Sequence, residues 1–432
     1  MRLLKYFINS RYFSTTASLF PNIINSGRAI ELDPFLQREK ITKTPEQFEG
    51  SRSLRVAVLG APNAGKSMLT NALLGARVNA VSKKINTTQK TMTTVFIDDV
   101  SQLVFLDTPG IVTGKISKVH KLQSNLILDP ENALHSAEYI LVVCDVSDDY
   151  RSYRLNPRVQ HLLCRYRHIP SLLILNKIDL IKNKTKLLEI VLKLSKGKVD
   201  KKRVKVIKSE MAVCKRSEIE SAVKAYEQRE KEHSINEYIL LHCILSNLEL
   251  DVDPQLLERL VQMPAHKVDQ IQLHRCFRHE KGWPYFDEVF MISALYGDGV
   301  DDVRNFLLNK TREAEWNYHS SVVADEDAVF LVKDIIRAKL LDHLPHEIPY
   351  SLQLEIIVWE QDAAGNLCIR LNVICENSRW LKIIVGKGGD QIKKIVEDAS
   401  QDLRNLFMHE KDTHLVAVNK LSKSDSGADD MA

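Results

Sequence analysis

An eight-residue loop early in the chain has the spacing needed to hold phosphate groups. It reads Gly60-Ala-Pro-Asn-Ala-Gly-Lys-Ser67 and matches the pattern Gly-x-x-x-x-Gly-Lys-Ser. Its glycines let successive backbone N–H groups point inward at phosphate, and the dipole of a helix that begins there adds to the attraction. Lys66 is expected to reach the β and γ phosphates, and Ser67 to ligate Mg²⁺. The predicted nucleotide contacts here are Gly60, Ala61, Pro62, Asn63, Ala64, Gly65, Lys66 and Ser67.

Three further motifs follow apolar runs, and one of them selects the base. The carboxylate of Asp179 in Asn-Lys-Ile-Asp faces the N1–H and N2 amine of guanine, a donor pair that adenine lacks. Helix capping by Asp179 is the structural alternative, but the four motifs occur in the order expected for GTP binding. The predicted contacts in these motifs are Asp107, Thr108, Pro109, Gly110, Asn176, Lys177, Asp179, Ser293, Ala294 and Leu295.

Two features bear on hydrolysis. Ile111 follows Asp-Thr-Pro-Gly where many GTPases have a glutamine that orients the attacking water, so the intrinsic rate is expected to be slow. A switch segment is predicted at Asn86–Lys90, where a threonine hydroxyl can complete the Mg²⁺ shell when GTP is bound. The predicted Mg²⁺ ligands are Ser67, Thr87, Thr88 and Asp107.

A second glycine loop, Gly386-Lys-Gly-Gly389, lies between two segments predicted to be helical. It lacks the spacing and the hydroxyl ligand of a nucleotide site. Backbone of this kind can lie against the sugar-phosphate of a single strand, while neighbouring Ile384, Val385 and Ile392 contact splayed bases. A helix-capping glycine turn is the alternative. The predicted RNA contacts are Val385, Gly386, Lys387, Gly388, Gly389, Ile392 and Lys393.

Alternating short apolar runs and longer amphipathic stretches must position these loops. Runs at 56–59, 103–106, 140–144, 172–175 and 289–292 predict a mostly parallel sheet with helices on both faces, an α/β fold that binds ligands at the carboxyl ends of its strands. More than 100 residues separate the last two runs. Residues 182–233 hold 16 Lys/Arg against 8 Asp/Glu, which predicts charged helices outside the core, either solvated or RNA-binding.

Composition limits the class of protein. The chain has 432 residues, a net charge of +4 and seven scattered cysteines, which indicates several globular domains in a reducing compartment. No apolar run approaches the roughly 20 residues of a membrane-spanning helix. Residues 1–30 contain four basic residues and no acid, which favours a transit peptide over a disordered basic tail.

Taken together, these motifs resemble those of the Era GTPases, in particular the mitochondrial members. The resemblance implies a P-loop GTPase domain followed by an α+β type II KH domain, with GTP/GDP and Mg²⁺ as cofactors. It also implies K⁺ coordination by Asn63, with Lys66 and Thr88 completing the catalytic set. The implied domains are 1–50 (transit peptide and extension), 51–318 (GTPase, with a basic insertion at 182–285), 319–420 (KH) and 421–432 (disordered tail).

The same resemblance implies a partner and a location. Era proteins bind small-subunit ribosomal RNA near its 3′ end and act in assembly of that subunit. For this chain the implied partners are the mitochondrial small-subunit rRNA and the mitoribosomal small subunit in the matrix, with peripheral association at the inner membrane. The alternative function is a signalling or membrane-associated GTPase whose C-terminal domain binds protein.

Overall fold

The computed structural model describes residues 29–82, 84, 90–111, 125–148, 152–203, 251–265, 267–345, 347–363, 365–375, 377–408 and 413–421. The predicted transit peptide before residue 29, the middle of the insertion, the switch threonines and the tail beyond residue 421 lie outside this range. Among the helices described, none combines the length and the apolar composition that crossing a bilayer requires.

The first part of the chain forms one sheet covered by helices, as the apolar runs predict. Its elements are α1 (Pro34–Thr42), β1 (Arg52–Gly60), α2 (Lys66–Leu74), β2 (Met92–Asp98), β3 (Ser101–Asp107), α3 (Asn125–Ser136), β4 (Tyr139–Asp145), α4 (Pro157–Arg165), β5 (Ser171–Asn176), α5 (Thr185–Leu194), β6 (Lys198–Val199), β7 (Lys202–Arg203), α6 (Pro254–Gln262), α7 (Gln270–Cys276), β8 (Phe286–Ile292), α8 (Val300–Lys310) and β9 (Arg312–Glu313). Within the described residues, the strand order is β2-β3-β1-β4-β5-β8, and β9 pairs with the start of β1. Only β2 and β9 are antiparallel to their neighbours in this sheet.

Strand β1 shows why the sheet is buried on both faces. Val56 and Val58 pack into one apolar cluster, while the intervening Ala57 and Leu59 pack into the other. Successive side chains of a strand point to opposite faces, so a continuous apolar run needs helices on each side. Because these strands are parallel, the carboxyl ends of β1, β3, β4, β5 and β8 all lie at the same end of the sheet.

The last part of the chain forms a smaller α+β unit, in which helices accompany a three-stranded sheet. Its elements are α9 (Ala328–His343), β10 (Gln353–Gln361), β11 (Leu367–Cys375), α10 (Ser378–Val385), α11 (Asp390–Phe407) and β12 (Thr413–Leu421). Strand β11 lies between antiparallel β10 and parallel β12. The second glycine loop joins α10 to α11, which confirms the predicted helix-loop-helix.

Both ends of the predicted insertion differ from expectation. Helix α5 buries Leu187, Ile190 and Leu194 in the core of the first domain, and α6 buries Leu257 there. The lysine content of this stretch led us to expect helices on the outside. Apolar residues at helical spacing decide its packing instead, because they bury one face while the lysines remain on the other.

The predicted boundary between residues 318 and 319 also differs from the structure. The Val95 N–H donates to the Val323 carbonyl (2.8 Å), and Thr94 forms an antiparallel bridge with Ala324. The Asp325 N–H also donates to the Thr93 carbonyl (3.0 Å), so residues 323–325 lie along the edge of the first sheet beside β2. The C-terminal unit begins with α9 at Ala328, whose N-cap is Asp327.

Candidate functional site

The first glycine loop is closed, in the sense that neighbouring segments of the chain pack tightly against its backbone. It runs from the end of β1 to the start of α2, with φ of +62° at Asn63 and +91° at Gly65. A Cβ added at Gly60 would lie 2.5 Å from the Val143 carbonyl oxygen, and one at Gly65 would lie 2.2 Å from the Asn176 side-chain nitrogen. Close packing therefore requires glycine at both positions, and at Gly65 the positive φ requires it as well.

Lys66 lies inside this loop. Its side chain is buried, and Nζ donates to the carbonyls of Ala61 (3.1 Å) and Gly60 (3.4 Å). Burial lowers its pKa to about 8, and the nearby charge of Asp107 opposes that shift. The ammonium is only weakly held by loop carbonyls, so the negative charge of a phosphate would stabilise it far better.

Asp107 ends β3 beside the loop and fits a hard cation. It is fully buried, and the charged group of Lys66 and the side chain of Ser67 are its polar neighbours. Burial raises its pKa to about 6, although the charge of Lys66 pulls the other way. Burying a carboxylate is costly, and an Mg²⁺ ion bound by Asp107 together with Ser67 would relieve that cost. The predicted ligands Thr87 and Thr88 lie outside the described residues.

The Asp-Thr-Pro-Gly segment packs against the glycine loop. The Thr108 hydroxyl donates to the Val58 carbonyl (2.6 Å), and the Ile111 N–H donates to the Gly60 carbonyl (3.1 Å). A Cβ at Gly110 would lie 2.8 Å from the Cα of Pro62. Movement of either segment must therefore displace the other, as a γ-phosphate sensor requires.

The base-recognition residues are held by one another. Asn176 donates from Nδ2 to the Ala64 carbonyl (2.9 Å) and accepts the Ala294 N–H at Oδ1 (3.0 Å). It thus ties the phosphate loop to the segment after β8. The Ser293 hydroxyl donates to Asp179 Oδ1 (2.6 Å), which orients the carboxylate that the sequence predicts to read guanine.

Sequence reasoning missed Asp145 at the end of β4. Its Oδ2 lies 2.5 Å from Lys177 Nζ, and its Oδ1 accepts the Ser147 N–H (2.8 Å). Lys177 has φ of +67°, which is uncommon for a residue other than glycine, and its ion pair ties this position to the end of β4. The available signal was the carboxylate at a strand end, the same pattern that identified Asp107.

The second glycine loop is open to solvent. Gly386, Gly388 and Gly389 all have positive φ, at +73°, +61° and +85°. A Cβ at Gly386 would lie 2.6 Å from that of Gln391, whereas at Gly388 and Gly389 no atom lies within 4 Å. The loop ends at the N-terminus of α11, whose dipole attracts anions.

The side chains beside this loop differ in their exposure to solvent. Lys387 and Lys393 are exposed, and Val385 and Ile392 are half-buried beside them. Ile384 is fully buried in the core and cannot contact bases, contrary to expectation. The exposed apolar residue of α10 is Ile383, because the helix turns this position outward while Ile384 faces the sheet.

Comparison with known proteins agrees with this architecture. Residues 55–177 match the family described as 50S ribosome-binding GTPase, and residues 347–423 match the KH domain. The protein named "GTPase Era, mitochondrial" from Danio rerio is 33% identical over 387 residues, which cover 90% of this chain and 80% of the relative. The relative of the same name from Caenorhabditis elegans is 32% identical over 87% of this chain and 92% of its own length.

A solved structure shows the same fold. The crystal structure of Era in complex with MgGDPNP and nucleotides 1506-1542 of 16S ribosomal RNA matches with a TM-score of 0.56 at 22% identity, covering 86% of this chain and 94% of that one. The fold and site thus define a P-loop GTPase with a C-terminal KH domain. With relatives at this identity along most of their length, the chain belongs to the Era family of GTPases and hydrolyses GTP.

Proposed function

We propose that this protein is a GTP-hydrolysing RNA chaperone. It binds mitochondrial small-subunit rRNA near its 3′ end and promotes assembly of the mitoribosomal small subunit. The observation that carries the proposal is the presence in one chain of a closed phosphate loop, with the Ser293–Asp179 pair of the base motifs, and of an open Gly-Lys-Gly-Gly loop. The Era structure that shares this fold holds both MgGDPNP and a segment of 16S ribosomal RNA.

The assignment of individual residues is part of the proposal. The nucleotide contacts are those of the first loop and the motifs at 107–110, 176–179 and 293–295, and the RNA contacts are those at 385–389 with Ile392 and Lys393. Lys66, Asn63 and Thr88 form the catalytic set, and Mg²⁺ binds Ser67, Asp107 and a switch threonine. Asn63 adopts a left-handed backbone inside the loop, a position from which we propose that it coordinates K⁺. Equal hydrolysis rates in Na⁺ and K⁺ buffers would exclude this role.

The proposed location is the mitochondrial matrix, with peripheral contact at the inner membrane. Relatives from three animals carry the word mitochondrial in their names. The basic, acid-free composition of residues 1–28 supports import through a transit peptide.

Crosslinking in isolated mitochondria, followed by sequencing of the bound RNA, tests the proposal. We expect enrichment of small-subunit rRNA in reads centred near its 3′ end. Recovery of protein partners without ribosomal RNA would instead favour the signalling alternative. Recovery of large-subunit rRNA alone would contradict the proposed site of action.

A further inference from the structure

The segment before the GTPase domain is part of the folded protein. Residues 29–50 are the described half of what the sequence predicts to be a leader and extension. Ile30 is 3% exposed and belongs to the apolar core that includes the KH helices, and Leu32 packs against the same core. A removable leader has no need to bury residues in this way, so these contacts indicate a different role.

This segment first contacts the connection between the two domains. Gln47 forms two hydrogen bonds with the backbone of Trp316, one from its amide to the carbonyl (3.1 Å) and one from the Trp316 N–H to Oε1 (2.9 Å). Glu46 lies 3.3 Å from His319, and the ring of Phe48 packs edge-on against Trp316. Residues 46–48 therefore hold the chain just after it leaves β9.

Helix α1 then contacts the start of the KH domain. Gln37 is 1% exposed, and its amide donates to the carbonyls of Glu326 (3.3 Å) and Ala324 (3.5 Å), while its Oε1 accepts the Glu31 N–H (3.0 Å). Arg38 lies 2.5 Å from Asp327, the residue that caps α9. A buried amide is favourable only where each polar group has a partner, so Gln37 ties Glu31 to the backbone just before α9.

The first residues of the segment reach the KH sheet itself. The indole N–H of Trp359 on β10 donates to the Leu32 carbonyl (2.8 Å). Lys40, also nearly buried, donates to the Ala29 carbonyl (2.9 Å) and pairs with Glu31 (2.9 Å). The segment is therefore held at its beginning by α1 as well as by the KH domain.

We propose that residues 29–50 form an interdomain strap, which fixes the KH domain to the connection that follows the GTPase sheet. The strap contacts three places that lie far from it in sequence: residues 316–319, residues 324–327 and Trp359. It follows that leader processing, which rests on the proposed import into mitochondria, ends upstream of Ile30. Cleavage within the strap would remove the buried Ile30 and the partner of Trp359 and release one edge of the KH sheet.

Hydrogen exchange of the full-length protein tests the strap directly. Gln37→Ala leaves two carbonyls without a donor, so we expect roughly tenfold faster exchange around 324–330. Trp359→Phe keeps an aromatic ring but removes the donor, and it should accelerate exchange at 29–33 and in β10 without unfolding the protein. Phe35→Ala is the matched control on the same helix, because Phe35 is 71% exposed.

The outcomes are distinct. Exchange that stays unchanged in both Gln37→Ala and Trp359→Phe would overturn the strap. Mass spectrometry of the mature amino terminus from mitochondria should find a first residue at or before Ile30, and a start beyond it would overturn the inference equally. A protein absent from mitochondria would defeat the proposed location, yet the exchange experiment would still decide the strap.

Discussion

The two glycine loops of this protein need glycine for different structural reasons. In the loop at 60–67, a Cβ at Gly60 or Gly65 would collide with Val143 or Asn176 within 2.5 Å. In the loop at 386–389, Gly388 and Gly389 have open space and need glycine only for their positive φ. A closed loop suits a discrete ligand that it surrounds, and an open loop suits a polymer that passes across it. Glycine spacing alone does not distinguish the two.

Removing the charge from the closed loop should have the largest effect. We expect Lys66→Ala to weaken GTP binding by about 100-fold, because the side chain contributes a charge-assisted contact in a desolvated site. RNA affinity should remain within about twofold. Titration calorimetry with GTP and filter binding with RNA measure the two separately.

Lys201→Ala is the matched control for this experiment, since Lys201 is exposed in the turn between β6 and β7 and belongs to none of the predicted nucleotide motifs. A Lys66→Ala variant that lost both ligands would show that the two loops do not act separately.

Adding charge to the open loop should produce the reverse pattern. Gly388→Asp should weaken RNA binding by about tenfold or more, because its carboxylate enters the phosphate path. Gly388→Asn adds nearly the same bulk, and both residues tolerate positive φ. We therefore expect a smaller loss from asparagine, with GTP affinity unchanged in both variants. Equal RNA affinity in wild type and Gly388→Asp would refute the KH assignment of this loop.

Nucleotide affinity at the closed loop should also depend on pH, because Asp107 lies beside that loop, whereas RNA affinity at the open loop should not. The raised pKa of Asp107, about 6, means that this carboxyl is largely protonated at pH 5 and largely ionised at pH 7. Mg²⁺ requires the ionised form, so affinity for Mg·GTP should fall about tenfold as the pH drops from 7 to 5. Calorimetric titrations at several pH values measure this slope.

In that experiment, the Asp107→Asn variant separates the titration of the protein from the titration of the bound nucleotide. It binds more weakly but retains the titration of the nucleotide's own phosphates, so the difference between the two slopes belongs to Asp107. Parallel slopes would contradict the assignment of Asp107 to the metal.

The smallest effect should come from the contact that joins the two regions. Asp402 on α11 lies 2.6 Å from both Arg77, just after the phosphate-loop helix, and Lys339 on α9. Arg77→Ala leaves one cation in place, so we expect a loss of about 1 kcal/mol and a fall of roughly 2–4 °C in the unfolding midpoint. Exposed Arg259→Ala should leave the midpoint unchanged in the same thermal scans. A similar fall in both variants would mean that the interdomain pair contributes nothing specific.

Much of the site was predictable because its motifs stand at strand ends. Asp107, Asn176 and Ser293 each follow an apolar run, and parallel strands bring their carboxyl ends to one edge. Asp145 was missed although it has the same placement, because no familiar motif surrounds it. Ile384 was misassigned because a single helical position separates the buried face from the exposed Ile383.

By itself, the sequence determined the nucleotide class, the α/β order and the helix-loop-helix of the KH unit, since local spacing and apolar periodicity carry that information. Only the tertiary structure decided that the apolar face of α5 packs into the core and that residues 323–325 lie beside β2 at the edge of the first sheet. It alone also showed that residues 29–50 bind both domains. These features depend on contacts between residues that are hundreds of positions apart, such as Gln37 and Glu326. Local sequence spacing does not predict which distant carbonyl will accept a hydrogen bond from a buried amide.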